Sequence, residues 1–156
     1  HLVVEAQLGL AHGIYGQLAA GGTGGTFRLI VRSDESSRKI SRARHRLAAR
    51  GERLKTKGRD ELMQSERATY ICWQYWLRRS SSSDRRETAH RMAQQARQVR
   101  DVAGVAELRA LDQRTLDEIC KHLDQLSYHW SSLEIGQSMA VHWPDLAVVT
   151  EPIPFI

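Results

Sequence analysis

Little in this chain announces chemistry. There are two cysteines in 156 residues, Cys72 and Cys120. That excludes a disulfide framework and favours a reducing, intracellular compartment. Both sit in helical patterns and read as buried, reduced thiols. No C-x-x-C or H-E-x-x-H is present. Cys120, His122 and His129 lie near one another in sequence, but a zinc site needs three or four convergent ligands, so no metal is expected. The glycine-rich run 21–26 is a linker, not a phosphate loop: it precedes the only strand-like segment, and no Lys-Ser/Thr follows it. A G-x-S-x-G nucleophile turn is missing. Carboxylate pairs such as Asp117-Glu118 stand where a helix start would want them anyway. No catalytic residue and no cofactor are expected, although a triad assembled from distant residues would be invisible at this level.

Aromatics are scarce, ten in all. Four of them, Tyr70, Trp73, Tyr75 and Trp76, cluster, and at helical spacing they read as core, with Tyr75 the best placed to be exposed and to stack a base.

Charge is the feature present in quantity. The formal net is +5 and the isoelectric point about 9.6, but the layout says more. Residues 28–59 carry nine Arg and three Lys against Asp34, Glu35 and Glu52, a local net of +9. Residues 101–156 carry three cations against nine acids, a local net of −6. Such asymmetry implies a cationic surface that seeks phosphate or an acidic partner. Arg exceeds Lys by 19 to 4, and guanidinium groups bind phosphate bidentately. A G+C-rich genome would produce the same ratio.

Residues 2–20 are apolar with one acid, Glu5. They approach the length of a membrane span, but Gln7, His12, Gln17 and three glycines argue for a helix packed on protein. Gly9 and Gly13 form a lone G-x-x-x-G. A strand is expected near residues 27–32. From about 36 to 55 comes a helix, capped by Ser33 or Asp34, with Ile40, Ala43, Leu47 and Leu54 on one stripe. Arg38, Lys39, Arg42, Arg46, Arg50 and Arg53 occupy an adjacent arc of roughly 120° at 100° per residue. A second helix, about 59–79, buries Leu62, Met63, Tyr70, Trp73 and Leu77. A third, 85–103, starts at an Asp84/Glu87 capping box and buries Ala89, Met92, Ala93, Ala96, Val99 and Ala103. After a short piece, 105–111, a Thr115/Glu118 box opens a fourth, 116–131. Its apolar side is Leu116, Ile119, Cys120, Leu123, Leu126 and Trp130. Beyond Gly136 the periodicity fails. Residues 146–156 are apolar and broken by Pro152 and Pro154, which suits an extended strap or a docking tail. The expected architecture is therefore mainly α: four to five helices, one short strand, a single helical domain over 1–143 and an extended tail over 144–156. The chain starts at His1, so it reads equally as a processed protein or as part of a longer one.

One stretch carries a resemblance. Leu29-Ile30-Val31-Arg32-Ser33-Asp34-Glu35-Ser36-Ser37-Arg38, followed by an Arg-rich helix to Leu54, resembles the last strand and helix of the release-factor catalytic domain. The likeness is to small ribosome-rescue factors and the related proteins built into mitochondrial large ribosomal subunits. The family's Gly-Gly-Gln is missing; Gly24-Gly25-Thr26 is neither in its place nor the same. What the resemblance implies is a structural ribosomal component without hydrolase activity, in the mitochondrial matrix.

The sequence thus leads to a non-catalytic subunit of a ribonucleoprotein assembly, most concretely an organellar ribosome. Arg38, Lys39, Arg42, Arg46, Arg50 and Arg53, aided by Lys55 and Lys57, would meet the RNA phosphate backbone. Leu146, Val148, Val149, Ile153, Phe155 and Ile156 would dock on a neighbouring protein subunit. The rival is an accessory subunit of a large protein complex, such as a membrane-bound respiratory one, with residues 2–20 at the membrane. A DNA-binding helix-turn-helix over 105–131 is weaker, because residues 116–131 offer only Lys121 against Asp117, Glu118 and Asp124.

Overall fold

The computed structural model describes residues 1–23 and 37–152. The strand expected near 27–32, the Ser33 or Asp34 cap and tail residues Ile153, Phe155 and Ile156 lie outside the described residues. The chain is mainly α. Among the described residues eight helices precede a two-stranded sheet: α1 (Leu2–Leu8), α2 (Ile14–Ala19), α3 (Ser37–Lys57), α4 (Arg59–Arg79), α5 (Ser83–Arg91), α6 (Ala93–Val102), α7 (Val105–Ala110) and α8 (Gln113–Ser131), then β1 (Gln137–Val141) and β2 (Val148–Pro152).

The count of four to five is too low because two expected helices break. Residues 2–20 are not continuous: Gly9 takes a left-handed conformation (φ 64°) that ends α1, and Gly13 stands at the N-cap of α2. The two glycines bracket a turn and are no helix-packing motif. Residues 85–103 divide at Met92, whose ψ of −11° opens the helix between α5 and α6. The piece 105–111 coils into α7.

Helix starts differ as well. Ser82 caps α5 without a side-chain hydrogen bond, so the Asp84/Glu87 box is not formed. For α8 the cap is Asp112, whose carboxylate accepts the Thr115 amide at 2.8 Å. Those interactions hold the Asp112 carboxyl below its ordinary range, the Thr115 backbone amide foremost.

The core gathers Val3 and Val4 of α1, Ala68, Ile71 and Cys72 of α4, Leu116 and Ile119 of α8, and Leu111 and Leu146 from connections. Here α4 corrects the sequence reading. Of Leu62, Met63, Tyr70, Trp73 and Leu77 only Leu77 is buried; Met63 and Trp73 are 49% and 46% exposed. The inward side carries Ser65, Ala68, Ile71 and Cys72 instead, and α1, α5, α6 and α8 all pack on this helix. Small residues let neighbouring backbones come close, whereas the bulky aromatics fit only at the rim. Tyr75 is half-buried, its ring packed against the core and its hydroxyl accepting from Arg79 and Gln113 at the surface. Tyr70 and Trp76 use their polar tips, on Gln95 and Asp124 respectively. The small-residue stripe expected for 85–103 is found, with Ala89 and Ala96 buried. On α8 the stripe also holds, except at Trp130, 69% exposed.

At the C-terminal end, β1 and β2 form an antiparallel hairpin from Gln137↔Pro152 to Val141↔Val148. Residues 148–152 are thus extended but folded back on the chain. Leu146, in the hairpin turn at φ 60°, is 6% exposed and belongs to the core. The turn also rests on α2 through the Tyr15 and Trp143 rings, stacked at 6.3 Å.

Between α4 and α7, Glu107 accepts from both Nε and Nη2 of Arg67, a bidentate pair about four-fifths buried. The Arg67 hydrogen bond holds the Glu107 carboxyl below its ordinary range, against the opposing pull of burial. A carboxyl depressed in the folded state contributes stability above the unfolded pKa of ~4.3, and loses it as pH falls through the folded value. Glu107→Gln should therefore cost about 1 kcal/mol at neutral pH. It should also flatten the acid limb of stability below pH ~4.3, checked by urea unfolding across pH.

Candidate nucleic-acid interface

The residues of α3 form a helix for ordinary reasons: Arg, Lys, Ala and Leu have high helix propensity, and Lys55 and Lys57 complement the negative C-terminal end. Tertiary packing adds little. No α3 residue whose side chain is described is buried. Ile40, Ala43, Leu47 and Leu54 are half-covered, as the sequence stripe implied, and Gly51 joins them. Among the described residues, close contacts gather on the C-terminal half. An added Cβ at Gly22 would lie 2.8 Å from the Leu54 side chain, and one at Gly51 3.2 Å from Thr23 Oγ1.

Over its length α3 carries nine Lys and Arg against one acid, Glu52. Arg38, Lys39, Arg42, Arg46, Arg50, Arg53, Lys55 and Lys57 are all exposed. Arg38, Arg42, Arg46 and Arg50 follow one another at about 6 Å along the axis, and Arg38 to Lys57 spans about 28 Å. The structure keeps the six-residue arc together as one ridge. Lys57 extends that ridge at the same helical phase, while Arg44 and Lys55 flank the apolar stripe from the other side at 100° per residue.

Among the described residues, no ion pair involves α3. Five acids of the negative C-terminal half, among the described residues, are engaged elsewhere. Glu107 holds Arg67, Asp117 holds Arg79, Glu118 approaches Lys121 at 4.0 Å, Asp124 accepts Trp76 Nε1 at 2.7 Å, and Asp112 caps α8. These five carboxylates therefore serve α4 and α8 rather than the basic helix. Like charges at i,i+4 oppose helix formation by a few tenths of a kcal/mol per pair. Inside the chain nothing described offsets that cost.

Of the docking residues, Leu146 is buried in the chain's own core, Val148 is half-buried, and Val149 is 39% exposed. The wider apolar surface was not evident from sequence: Val102 and Val105 flank α7's start at 73% and 68% exposed, and Tyr128, Trp130 and Ile135 rim the end of α8 at 70%, 69% and 108%.

One constellation escaped sequence reasoning. Glu5, fully buried, accepts from the amides of Ile14 and Tyr15 at 2.8 Å each and from Ser65 Oγ at 2.6 Å. His1 Nδ1 lies 3.1 Å from the same Ser65 oxygen. The set resembles a catalytic triad in composition, but Ser65 is fully buried and its hydroxyl donates to the carboxylate. Its work is to cap α2 and tie it to α4. The signal was available: Glu5 is the one acid in an apolar stretch of nineteen residues.

Among the described residues no group of three or more His, Cys, Asp or Glu could hold a metal ion. No described helix is long and apolar enough to cross a membrane. Burial pushes the Cys72 thiol up to about 12, and also raises Cys120, the direction opposite to an activated nucleophile. No known protein family, characterised protein or solved structure matches this chain.

Proposed function

We propose that the chain is a non-catalytic structural subunit of a ribonucleoprotein assembly, anchored on RNA phosphates by α3. One observation carries this reading: an exposed ridge of like charges, Arg38, Lys39, Arg42, Arg46, Arg50 and Arg53, has no ion pair among the described residues, while Glu107, Asp117 and Asp124 are committed to α4. A polyanion offsets the repulsion along such a ridge, and releasing its condensed counterions supplies binding free energy. Lys57 extends the contact to the foot of the helix, and Lys55 adds a positive charge on the helix's other flank. The exposed apolar groups around α7 and the end of α8 support neighbouring protein subunits as additional partners. An organellar large ribosomal subunit is the setting to which the likeness of residues 27–54 points.

The test is native co-purification with and without nuclease. Release of the chain after RNA digestion is expected. Full retention would discard RNA anchoring in favour of an accessory subunit held by protein contacts alone.

A further inference from the structure

A second cationic feature lies away from α3. Between α4 and α5 an open groove of about 340 Å³ is lined by Gln74, Arg78, Arg86, Ala89, His90 and Ala93. Helical spacing sets it up: Gln74 and Arg78 are four apart on α4, while Arg86, Ala89, His90 and Ala93 follow the i, i+3, i+4, i+7 pattern across α5 and the first residue of α6. Alanine at 89 and 93 leaves the space a larger side chain would fill. Gln74 is buried, and its Nε2 donates to the Ala89 carbonyl at 3.4 Å, holding α5 against α4 beside the groove.

The arginines on these two helices divide into two sets. Arg79 binds Asp117 and the Tyr75 hydroxyl. Arg85 stacks over Trp76 at 4.8 Å and reaches Ser127. Arg91 pairs with Glu87 at 3.3 Å. All three are absent from the groove's lining and are satisfied within the chain. Arg78, Arg86 and His90, which do line it, make no side-chain hydrogen bond or ion pair among the described residues, and no acid joins them in the lining.

We infer that this groove is a binding site for a phosphate monoester joined to a small organic group. Two guanidinium side chains lining one groove from neighbouring helices suit the oxygens of a single phosphate. The volume falls at the low end of small-molecule sites, ~300–1,000 Å³, and exceeds what phosphate alone occupies. Ala89 and Ala93 supply the small, apolar part of the lining, which suits an apolar or sugar moiety. The site is separate from α3 and does not rest on the RNA reading. A free nucleotide-like metabolite and the 5′-phosphate end of an RNA strand both present this chemistry.

The experiment is a ¹H–¹⁵N titration of the full chain with adenosine 5′-monophosphate, adenosine, and inorganic phosphate. Adenosine monophosphate should shift the Gln74 side-chain amide and the backbone amides of Ala89 and Ala93, adenosine should not, and inorganic phosphate should compete. Arg78→Ala and Arg86→Ala, both at exposed positions, should each weaken binding roughly ten-fold, as expected for one charge-assisted contact. Neutralising Arg38, Arg42, Arg46 and Arg50 should leave it unchanged. In that neutralised background a 5′-phosphorylated RNA oligonucleotide that competes, where its dephosphorylated form does not, identifies a strand end as the source; competition by the mononucleotide alone identifies a metabolite. Equal shifts with adenosine, wild-type affinity in both arginine variants, or loss only in the α3 variant would each overturn the assignment.

Discussion

Replacing Arg38, Arg42, Arg46 and Arg50 together with alanine is expected to lower RNA affinity by about 100- to 1,000-fold near physiological salt. Each lost phosphate contact forfeits the release of somewhat less than one counterion, and four such losses multiply. Stability should not fall with it. The four side chains are exposed and unpaired among the described residues, alanine is the best helix former, and three repulsive i,i+4 pairs disappear. The melting temperature of the variant should therefore equal or exceed that of the parent. Fluorescence anisotropy with a labelled RNA, read beside calorimetry, separates the two quantities. An affinity within threefold of the parent would remove these arginines from the interface; a lowered melting temperature would mean that they hold the fold.

The largest effect on stability is expected at Glu5. Its carboxylate accepts the Ile14, Tyr15 and Gly16 amides and the Ser65 hydroxyl, and an added Cβ at Gly13 would overlap it. Glu5→Ala strands those donors beside a void. At roughly 1–3 kcal/mol for each buried group left unpaired, with water reaching some of them, the loss is about 4 kcal/mol. That is a large share of a typical domain's 5–15 kcal/mol, and it corresponds to a melting point about 10–15 °C lower for a chain of this size. Ser65→Ala removes one donor and should cost about 1 kcal/mol. Gly13→Ala should destabilise by displacing the carboxylate. Thermal unfolding of the set should rank Glu5→Ala well above Ser65→Ala; equal, small losses would show the network to be wet.

Helices whose apolar residues fall on one clean stripe were readable. That holds for α3, for the Ala89–Ala96 face of α5 and α6, and for most of α8, because a 3.6-residue period encodes direction whatever the helix packs against. Reading failed where contact size outranked hydrophobicity. On α4 the bulky Met63 and Trp73 looked buried, but close approach of four neighbouring helices selects Ser65, Ala68 and Cys72. The break in residues 2–20 was missed because Gly9 and Gly13 were weighed as a packing pair, when the deciding partner was Glu5, joined to Ser65 sixty residues away. The hairpin was equally hidden. Its strands are short, joined by six residues rather than a two-residue turn, and its anchor Leu146 reaches the core through a left-handed conformation that leucine rarely adopts. The basic ridge needed only helical spacing, but which acids would answer it depended on the tertiary fold, where Glu107 and Asp117 turn to Arg67 and Arg79.

What matters most is whether that ridge is an electrostatic binding surface for an external polyanion. The most direct measurement is RNA affinity of the full chain as a function of salt. Six phosphate contacts by Arg38, Lys39, Arg42, Arg46, Arg50 and Arg53 give a log–log slope of about −4 to −5. A slope shallower than about −1 would contradict the account, leaving α3 as a solvated face.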